Sequence, residues 1–360
     1  MTHDFLVIGG GIAGISAGAR LSELGSVLLL EAEPALAYHA SGRSAALYEA
    51  QYGHAVTVAL NLASRADHES LDGGVLSPRG LMLLAGVGEE EIFARDVAKM
   101  GLPTVSIEEA VALVPALNPE AITGAAAHHD AWDIDTDRLI QHFARTIRAN
   151  GGTVQTGASV TQIAKQAGGW QVWTSDGDHT ARTLVNAAGA WADGVAALAG
   201  IAPLGITPYR RSVARIPAPG GHEVSRWPML LGAGETWYAK PDAGQLIVSP
   251  AEEDPVTEPH DAWPEDMRLA EGIARYQRFV TEEVTRLTSS WAGLRSFSPD
   301  RALVLGPEPA DPSFVWVAGQ GGYGFQTAPA ASRLVADLVA GRKPELDAAT
   351  VAALSPARFR

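Results

Sequence analysis

The chain has 360 residues, of which 46% are hydrophobic and 19% charged, an ordinary composition for a folded protein of about two domains. Its formal net charge of −14 disfavours nucleic acid and anionic membranes as partners, because both would repel it. The absence of cysteine excludes disulfides, thiolate metal ligands, cysteine nucleophiles and a thioether link to a cofactor.

A strand, a tight turn and a helix are predicted at the start of the chain. The turn has the G-x-G-x-x-G sequence Gly9-Gly10-Gly11-Ile12-Ala13-Gly14, between the apolar run 5–8 and the small-residue stretch 15–24. Gly9 permits the sharp turn, Gly11 permits close approach of the backbone to a pyrophosphate, and Gly14 lets the helix lie close on the sheet. The pattern predicts a dinucleotide site; a glycine-rich turn without a ligand is the alternative.

Glu31 supports the dinucleotide interpretation. It ends the next apolar run, 27–30, roughly 20 residues after the glycine turn, where the ribose of a dinucleotide would lie. Its carboxylate can accept hydrogen bonds from ribose hydroxyls, which favours an unphosphorylated ribose over NADP.

Several further elements are predicted before residue 150. A helix spans about 56–70, a strand 80–85 and an amphipathic helix 89–100. Ser106 and Glu109 form a capping box for a short helix, and Asp135-Thr136-Asp137 caps a helix that runs to about residue 150.

The second half of the chain begins with strands at 154–156, 160–165, 170–174 and 180–186, the last of which leads into the small-residue turn 187–191. The portion from Arg211 to about Trp291 is predicted to contain a strand at 245–249 and one helix at about 264–287. It looks like a second domain inserted into the first. The chain returns with a strand at 314–318, the glycine-rich turn 319–324 and a helix at 327–340.

The turn Gly319–Gly324 also lies between a strand and a helix. Its N–H groups and the helix dipole are therefore expected at the carboxyl edge of the sheet, where ligands of open α/β folds bind. Such a helix end favours developing negative charge, as on a reduced flavin; an ordinary glycine-rich loop is the alternative.

The order of these motifs resembles the FAD-dependent D-amino-acid oxidase superfamily and, within it, the bacterial D-arginine dehydrogenase type of D-amino-acid dehydrogenase. The similarity covers nearly the whole chain. The segments that carry it are 7–14, Gly42-Arg43-Ser44-Ala45-Ala46, Val185-Asn186-Ala187-Ala188-Gly189-Ala190-Trp191, Trp291-Ala292-Gly293-Leu294-Arg295 and Gly319-Gln320-Gly321-Gly322-Tyr323-Gly324.

The resemblance implies an α/β fold: a glutathione-reductase-like FAD-binding domain of Rossmann type, with an inserted α+β substrate domain on a mostly antiparallel sheet. We expect residues 1–78, 137–210 and 291–360 in the FAD-binding domain, and 79–136 and 211–290 in the substrate domain. The implied activity is oxidation of the Cα–N bond of a free D-amino acid, with hydride transfer to flavin N5. The resulting imine is hydrolysed to a 2-oxo acid and ammonia.

The resemblance also implies the site residues. Arg211, Tyr238 and Arg295 are expected at the substrate carboxylate, and Tyr52 in a mobile loop over the active site; Arg210 is taken as structural. FAD is expected to bind without a covalent link. The residues expected to contact it are Gly9, Gly11, Ile12, Ala13, Gly14, Glu31, Ala32, Gly42, Arg43, Ser44, Ala45, Ala46, Val160, Ala188, Gly189, Trp191, Arg295, Gly319, Gly321, Gly322, Tyr323 and Gly324.

The chain departs from arginine-preferring relatives at the positions that would receive the substrate side chain. Where those relatives have a histidine and a glutamate, this chain has Leu47 and Leu81. A buried guanidinium without a carboxylate is costly, so D-arginine is expected to be a poor substrate unless Glu49 supplies the charge. The hypothesis is a pocket for apolar or aromatic side chains, formed by Leu47, Leu81, Met229 and Leu231, with Glu49 and Gly322 beside it.

Other functions stay open. One is an oxidase of glycine, sarcosine or another secondary amine that uses O₂; a more remote one is a cofactor-free binding module of the same fold. An NAD dehydrogenase fits the first motif alone. The electron acceptor is left open between a quinone, a dye-like carrier and O₂.

No metal site is expected. His39, His128 and His129 lack the partner spacing of a known site and are interpreted as hydrogen-bonded histidines. Asp133, Asp135 and Asp137 are better explained by a helix cap than by a calcium loop. With no leader and no apolar run near the roughly 20 residues of a membrane span, the default location is the cytoplasm.

Overall fold

The computed structural model describes residues 2–360. Its strands are β1 Thr2–Ile8, β2 Val27–Leu30, β3 Leu47–Glu49, β4 Leu76–Pro78, β5 Leu81–Ala85, β6 Thr104–Val105, β7 Gly124–His128, β8 Ala131–Ile134, β9 Thr153–Gln155, β10 Val160–Gln166, β11 Gly169–Thr174, β12 Gly177–Asn186, β13 Thr207–Ile216, β14 Met229–Gly232, β15 Tyr238–Asp242, β16 Gln245–Ser249, β17 Asp254–Pro255, β18 Ser289–Phe297, β19 Val304–Pro307 and β20 Phe314–Ala318. Its α-helices are α1 Ile12–Leu21, α2 Ala55–Ser70, α3 Glu90–Met100, α4 Ile107–Leu113, α5 Thr136–Ala149, α6 Ala192–Leu198, α7 Asp266–Gln277, α8 Gly324–Val339 and α9 Ala348–Leu354.

The first sheet has a parallel centre in the order β9-β2-β1-β12-β20, and β19 pairs antiparallel with β20. Alternate residues of β1 and β2 point to opposite faces. Val7 and Leu29 pack with helices α1, α5 and α8, whereas Leu6 and Leu28 pack with the β10–β11 hairpin and α6. Both faces are therefore covered, as the near-continuous apolar strands require. The fold is the predicted α/β class with a Rossmann-type domain.

The second sheet runs β17-β13-β16-β15-β14-β5-β7-β6, with β18 along the other side of β13. Its pairs are antiparallel except for β5 with β14. One face packs on α4 and α7. The other face lies against a small third sheet, β3-β8-β4. The predicted two-domain division stays a prediction; its boundary at residue 291 falls inside β18, which pairs with β13 along its whole length.

Local signals marked most helix ends correctly. Ser106 and Glu109 form the predicted capping box, and Asp135 caps α5. The helix predicted at about 264–287 is wrong in its second half, because α7 ends at Gln277. Beyond it, Val280 pairs with Leu117, and the Gln277 side chain bonds the main chain of residues 282 and 284. These contacts replace helical hydrogen bonds beyond Gln277.

Candidate active site

The glycines at the start of the chain are required by close backbone contacts. Gly9 has a φ of +112°, and a Cβ there would collide with the carbonyl of Ala187. A Cβ on Gly14 would collide with the carbonyl of Gly9. The first turn of α1 thus packs tightly on the preceding turn, and the glycine turn 9–14 contacts the small-residue turn 187–191 that follows β12.

Polar groups surround the N-terminal end of α1. The N–H of Gly10 donates to Oε2 of Glu31 at 2.6 Å, and the N–H of Ile12 donates to Oγ of Ser41 at 3.0 Å. Ala32 follows Glu31 directly. The N–H of Ala158 donates to the Glu31 carbonyl at 2.8 Å, and Val160 begins β10 two residues later. A carboxylate beside a helix N-terminus fits the ribose and pyrophosphate of a dinucleotide.

The turn 187–191 extends this region. Gly189 has a φ of +55° and open space around it, and the ring of Trp191 lies 4.7 Å from that of His39. Nε2 of His39 is 2.8 Å from Oε1 of Glu33, so His39 is a hydrogen-bonded histidine, as expected.

The loop 42–46 contacts the second and third sheets. The guanidinium of Arg43 bonds Asp261 and donates to the carbonyls of Ala262 at 3.0 Å and Ala292 at 2.7 Å. Its side chain is thus engaged by the second sheet and the loop 261–262. The carbonyl of Ala46 accepts a bond from Ile134, while Ala45 packs with the apolar face described below.

The glycine-rich turn 319–324 lies beside the glycine turn 9–14. A Cβ on Gly324 would come within 3.1 Å of Cγ2 of Ile12, which places the N-terminal ends of α8 and α1 side by side. Gly319 and Gly321 have φ values of +67° and +52°. A Cβ on Gly322 would lie 2.7 Å from Cζ of Arg295. This turn therefore connects the predicted cofactor region with a predicted substrate residue.

Two arginines from neighbouring strands are brought together next to that turn. Arg211 is 8% exposed; its Nε donates to the carbonyl of Glu252 at 2.9 Å, and its Nη2 lies 3.1 Å from Oε1 of Glu253. Burial lowers the pKa of Arg211, and the nearby charge of Arg295 lowers it further. Within residues 2–360, no carboxylate lies within 4.0 Å of the Arg295 guanidinium. Two adjacent cations with one carboxylate partner form a site for an anion.

Two tyrosines border the arginine pair. The hydroxyl of Tyr52 donates to Oε2 of Glu235 at 2.9 Å, and its ring lies 5.4 Å from that of Tyr323. Burial raises the pKa of Tyr52, and the charge of Glu235 adds to the rise, so the hydroxyl stays a donor. Tyr238 is 5% exposed on β15, where it pairs with Leu231 of β14.

A small cleft leads to Tyr52 and Glu235. Sequence reasoning missed Glu235, and no local pattern marks it, because its bond to Tyr52 joins residues 183 positions apart. The residues that line the cleft are Gln51, Tyr52, Gly53, Asp96, Lys99, Met100, Leu231 and Glu235.

The three leucines and one methionine predicted to form the pocket lie together at one face of the second sheet. Leu81 pairs with Met229, Leu231 pairs with Tyr238, and Leu47 of the third sheet packs against the same cluster.

Glu49 is not a free carboxylate at this face. It is 3% exposed, with Oε2 at 2.8 Å from Nε2 of His128 and Oε1 accepting from the N–H of Gln51 at 3.1 Å. The hydrogen bond to Glu49 raises the pKa of His128. Both Glu49 oxygens are thus engaged within the protein.

Asp133 differs from its sequence interpretation. Only Asp135 caps α5, whereas Asp133 binds Lys240 and Arg79, with Nζ of Lys240 at 2.8 Å. No local pattern marks this contact, because it joins two different sheets.

The family model DAO, described as FAD dependent oxidoreductase, matches residues 4–338. The chain belongs to this family. FAD is accordingly its cofactor, and the adjoining helix ends, the acceptor Glu31 and the close-packed glycines fit it. A cysteine link is excluded because the chain has no cysteine.

Several relatives of this DAO family member match nearly the whole chain. A glycine oxidase of Geobacillus kaustophilus is 25% identical, over 97% of this chain and 96% of that protein. Among solved structures, glycine oxidase from Geobacillus kaustophilus has a TM-score of 0.85 and 23% identity, covering 100% and 99% of the two chains. L-alpha-glycerophosphate oxidase from Mycoplasma pneumoniae with FAD bound has a TM-score of 0.84 and 21% identity, covering 94% and 95%.

These similarities confirm some of the predictions and leave others untested. The family, the fold class and FAD are confirmed, whereas the finer resemblance to D-arginine dehydrogenases stays a prediction. In residues 2–360 we find no helix that is both long and apolar enough to cross a membrane.

Proposed function

We propose that this enzyme oxidises the Cα–N bond of free D-amino acids with apolar or aromatic side chains. The observation that carries the proposal is the pair Arg211 and Arg295 beside Gly322. These two arginines have one carboxylate partner between them and lie next to the predicted flavin region. They suit the carboxylate of an amino acid, because two guanidinium groups can bind it with charge-assisted hydrogen bonds.

The roles of the residues follow from this orientation. FAD, when bound, supplies the acceptor for the hydride that leaves Cα. The arginines fix the carboxylate, the hydroxyl of Tyr238 can donate a further hydrogen bond to it, and Tyr52, whose hydroxyl donates to Glu235, lies beside them. Fixing one end of a small substrate sets the direction of its Cα–H bond, and such orientation supplies much of the catalysis in hydride transfer.

The chemistry of the pocket supports the side-chain preference. Leu47, Leu81, Met229 and Leu231 offer apolar contacts. Glu49, which could have received a guanidinium, is bound to His128 instead. A D-arginine side chain directed at Glu49 would bury its charge without a free partner, and this costs several kcal/mol in order of magnitude. The final 2-oxo acid and ammonia would form by hydrolysis of the released imine.

A glycine or sarcosine oxidase that uses O₂ is the second candidate. It is favoured by the full-length similarity to a protein named glycine oxidase. Such a substrate would leave the apolar face without a contact, which is why we rank it second.

The test compares kcat/KM for D-leucine, D-methionine, D-phenylalanine, D-arginine, glycine and sarcosine. We expect the three apolar D-amino acids to be preferred, and a clear preference for D-arginine or glycine would refute the proposal. Parallel assays of peroxide formation and dye reduction identify the acceptor. A purified protein without yellow colour would revive the cofactor-free alternative.

A further inference from the structure

A charged group lies at one end of the proposed side-chain pocket. Lys240 is two residues from Tyr238 on β15, so both side chains project from the same face of the sheet. Residue 230 of β14 pairs with residue 239 of β15, so Met229 lies opposite Lys240. Met229 in turn pairs with Leu81 of β5, and the three residues form one row across the sheet. Lys240 thus adjoins the apolar residues assigned to the substrate side chain.

The opposite wall of this region carries the partner of Lys240. Asp133 pairs with Leu47 across β8 and β3, so the two side chains share one face of the third sheet. Nζ of Lys240 donates to Oδ1 of Asp133 at 2.8 Å, so the two residues link the second sheet to the third beside Leu47.

Lys240 retains hydrogen-bonding capacity. It is 8% exposed, and an ammonium group has three N–H donors. Over residues 2–360, Asp133 is the one hydrogen-bond partner recorded for its Nζ. Oδ2 of Asp133 is already taken by Arg79, which binds it at 2.8 and 2.6 Å through Nε and Nη2. Two cations share one carboxylate, so the group Arg79–Asp133–Lys240 carries a net positive charge.

The spacing between Tyr238 and Lys240 along β15 suits a short substrate side chain with an oxygen at its end. Residues two apart in a strand are separated by roughly 7 Å. A substrate whose α-carboxylate lies near Tyr238 therefore places a group two or three carbons further on within reach of Lys240. Such a chain has an apolar stem, which Leu81 and Met229 can contact, and a terminal acceptor.

We propose that Lys240 determines specificity by binding the terminal oxygen of substrate side chains that end in a carboxylate or carboxamide, as in D-glutamate and D-glutamine. This rests on the proposed function and extends it: the pocket binds apolar side chains, and Lys240 adds binding for a short side chain that ends in an oxygen.

The test uses two variants of the same ion pair. The measured quantities are the ratios of kcat/KM for D-glutamate and for D-glutamine to that for D-norvaline, which has an aliphatic side chain of similar length. Lys240→Met lowers both ratios about tenfold or more, because a charge-assisted bond is lost. Asp133→Asn raises the D-glutamate ratio, because Lys240 is released from its competing carboxylate. If the ion pair is purely structural, the two variants leave the ratios unchanged or change them in the same direction. Either result overturns the proposal.

Binding without turnover separates this proposal from the proposed function. Glutarate and pentanoate are titrated into the holoenzyme, and the visible absorbance of the flavin is followed. Tighter binding of glutarate than of pentanoate in the wild type, lost in Lys240→Met, supports the role of Lys240 even if no D-amino acid is oxidised. If the wild type binds glutarate no more tightly than pentanoate, the proposed role of Lys240 is refuted. This outcome does not depend on whether the variants fold.

Discussion

The guanidinium of Arg295 lies against the main chain of Gly322, so closely that a Cβ on the glycine would be 2.7 Å from Cζ. Arg295 belongs to the second sheet, whereas Gly322 precedes α8, which packs on the first. This contact joins the proposed carboxylate site to the predicted flavin region without any intervening side chain.

Gly322→Ala is expected to lower kcat/KM by about ten- to a hundredfold, because the added methyl displaces the guanidinium and small misplacements of a substrate are costly. Steady-state kinetics on a preferred amino acid measure the effect. The control is Gly194→Ala in α6, where a Cβ meets nothing within 4 Å. Equal activity of the two variants would contradict the assigned role of Arg295.

Arg295→Met is expected to lower kcat/KM by about a hundredfold or more, since bonds to charged groups contribute about 1.5–3 kcal/mol each. The matched control is Arg210→Met. Arg210 is bound to Asp254 and Glu265 and is expected to contribute about 0–1 kcal/mol as a partly exposed ion pair. Steady-state kinetics on both variants check this, and similar losses would mean that the arginine effect is not specific to the site.

Gly14→Ala is expected to abolish FAD binding, because its Cβ would collide with the Gly9 carbonyl and push α1 away from the turn. The ratio of flavin to protein absorbance after purification measures this. Gly18→Ala lies in the same helix, and its Cβ would be 3.0 Å from the flexible end of Ile147. This control should keep its flavin; if Gly14→Ala does too, the assignment of the first motif fails.

The Glu49–His128 pair is expected to make stability depend on pH. The pKa of His128 is raised above its unfolded value of about 6.5, so the stabilisation is complete below that pH and is lost as pH rises through the raised pKa. The difference in melting temperature between wild type and His128→Gln should therefore shrink on going from about pH 6 to about pH 9. A difference that is constant with pH would show that His128 is not charged in this pair.

Local sequence rules were sufficient where one segment determines its own structure. The G-x-G-x-x-G turn, the capping box at Ser106 and the cap at Asp135 depend on residues within a few positions of one another. Alternating or continuous apolar runs likewise marked the strands. These features predicted the strand–turn–helix units, and the order of the motifs carried the family resemblance that implied the fold class and FAD.

Contacts between distant segments could not be derived in this way. Glu235 meets Tyr52, and Asp133 meets Lys240, only because separate sheets bring them together. The helix predicted through residue 287 ended early for the same reason, since the region around Val280 pairs with Leu117 instead of continuing α7. The partner of Glu49 was also hidden, because His128 is 79 positions away.

The central claim is that Arg211 and Arg295 hold the carboxylate of an apolar D-amino acid beside the flavin. Its most direct test is anaerobic mixing of the purified holoenzyme with D-leucine, L-leucine, glycine and sarcosine, followed by the loss of flavin absorbance in the visible range. We predict rapid bleaching by D-leucine and none by L-leucine. Faster bleaching by glycine, sarcosine or L-leucine than by D-leucine would contradict the account.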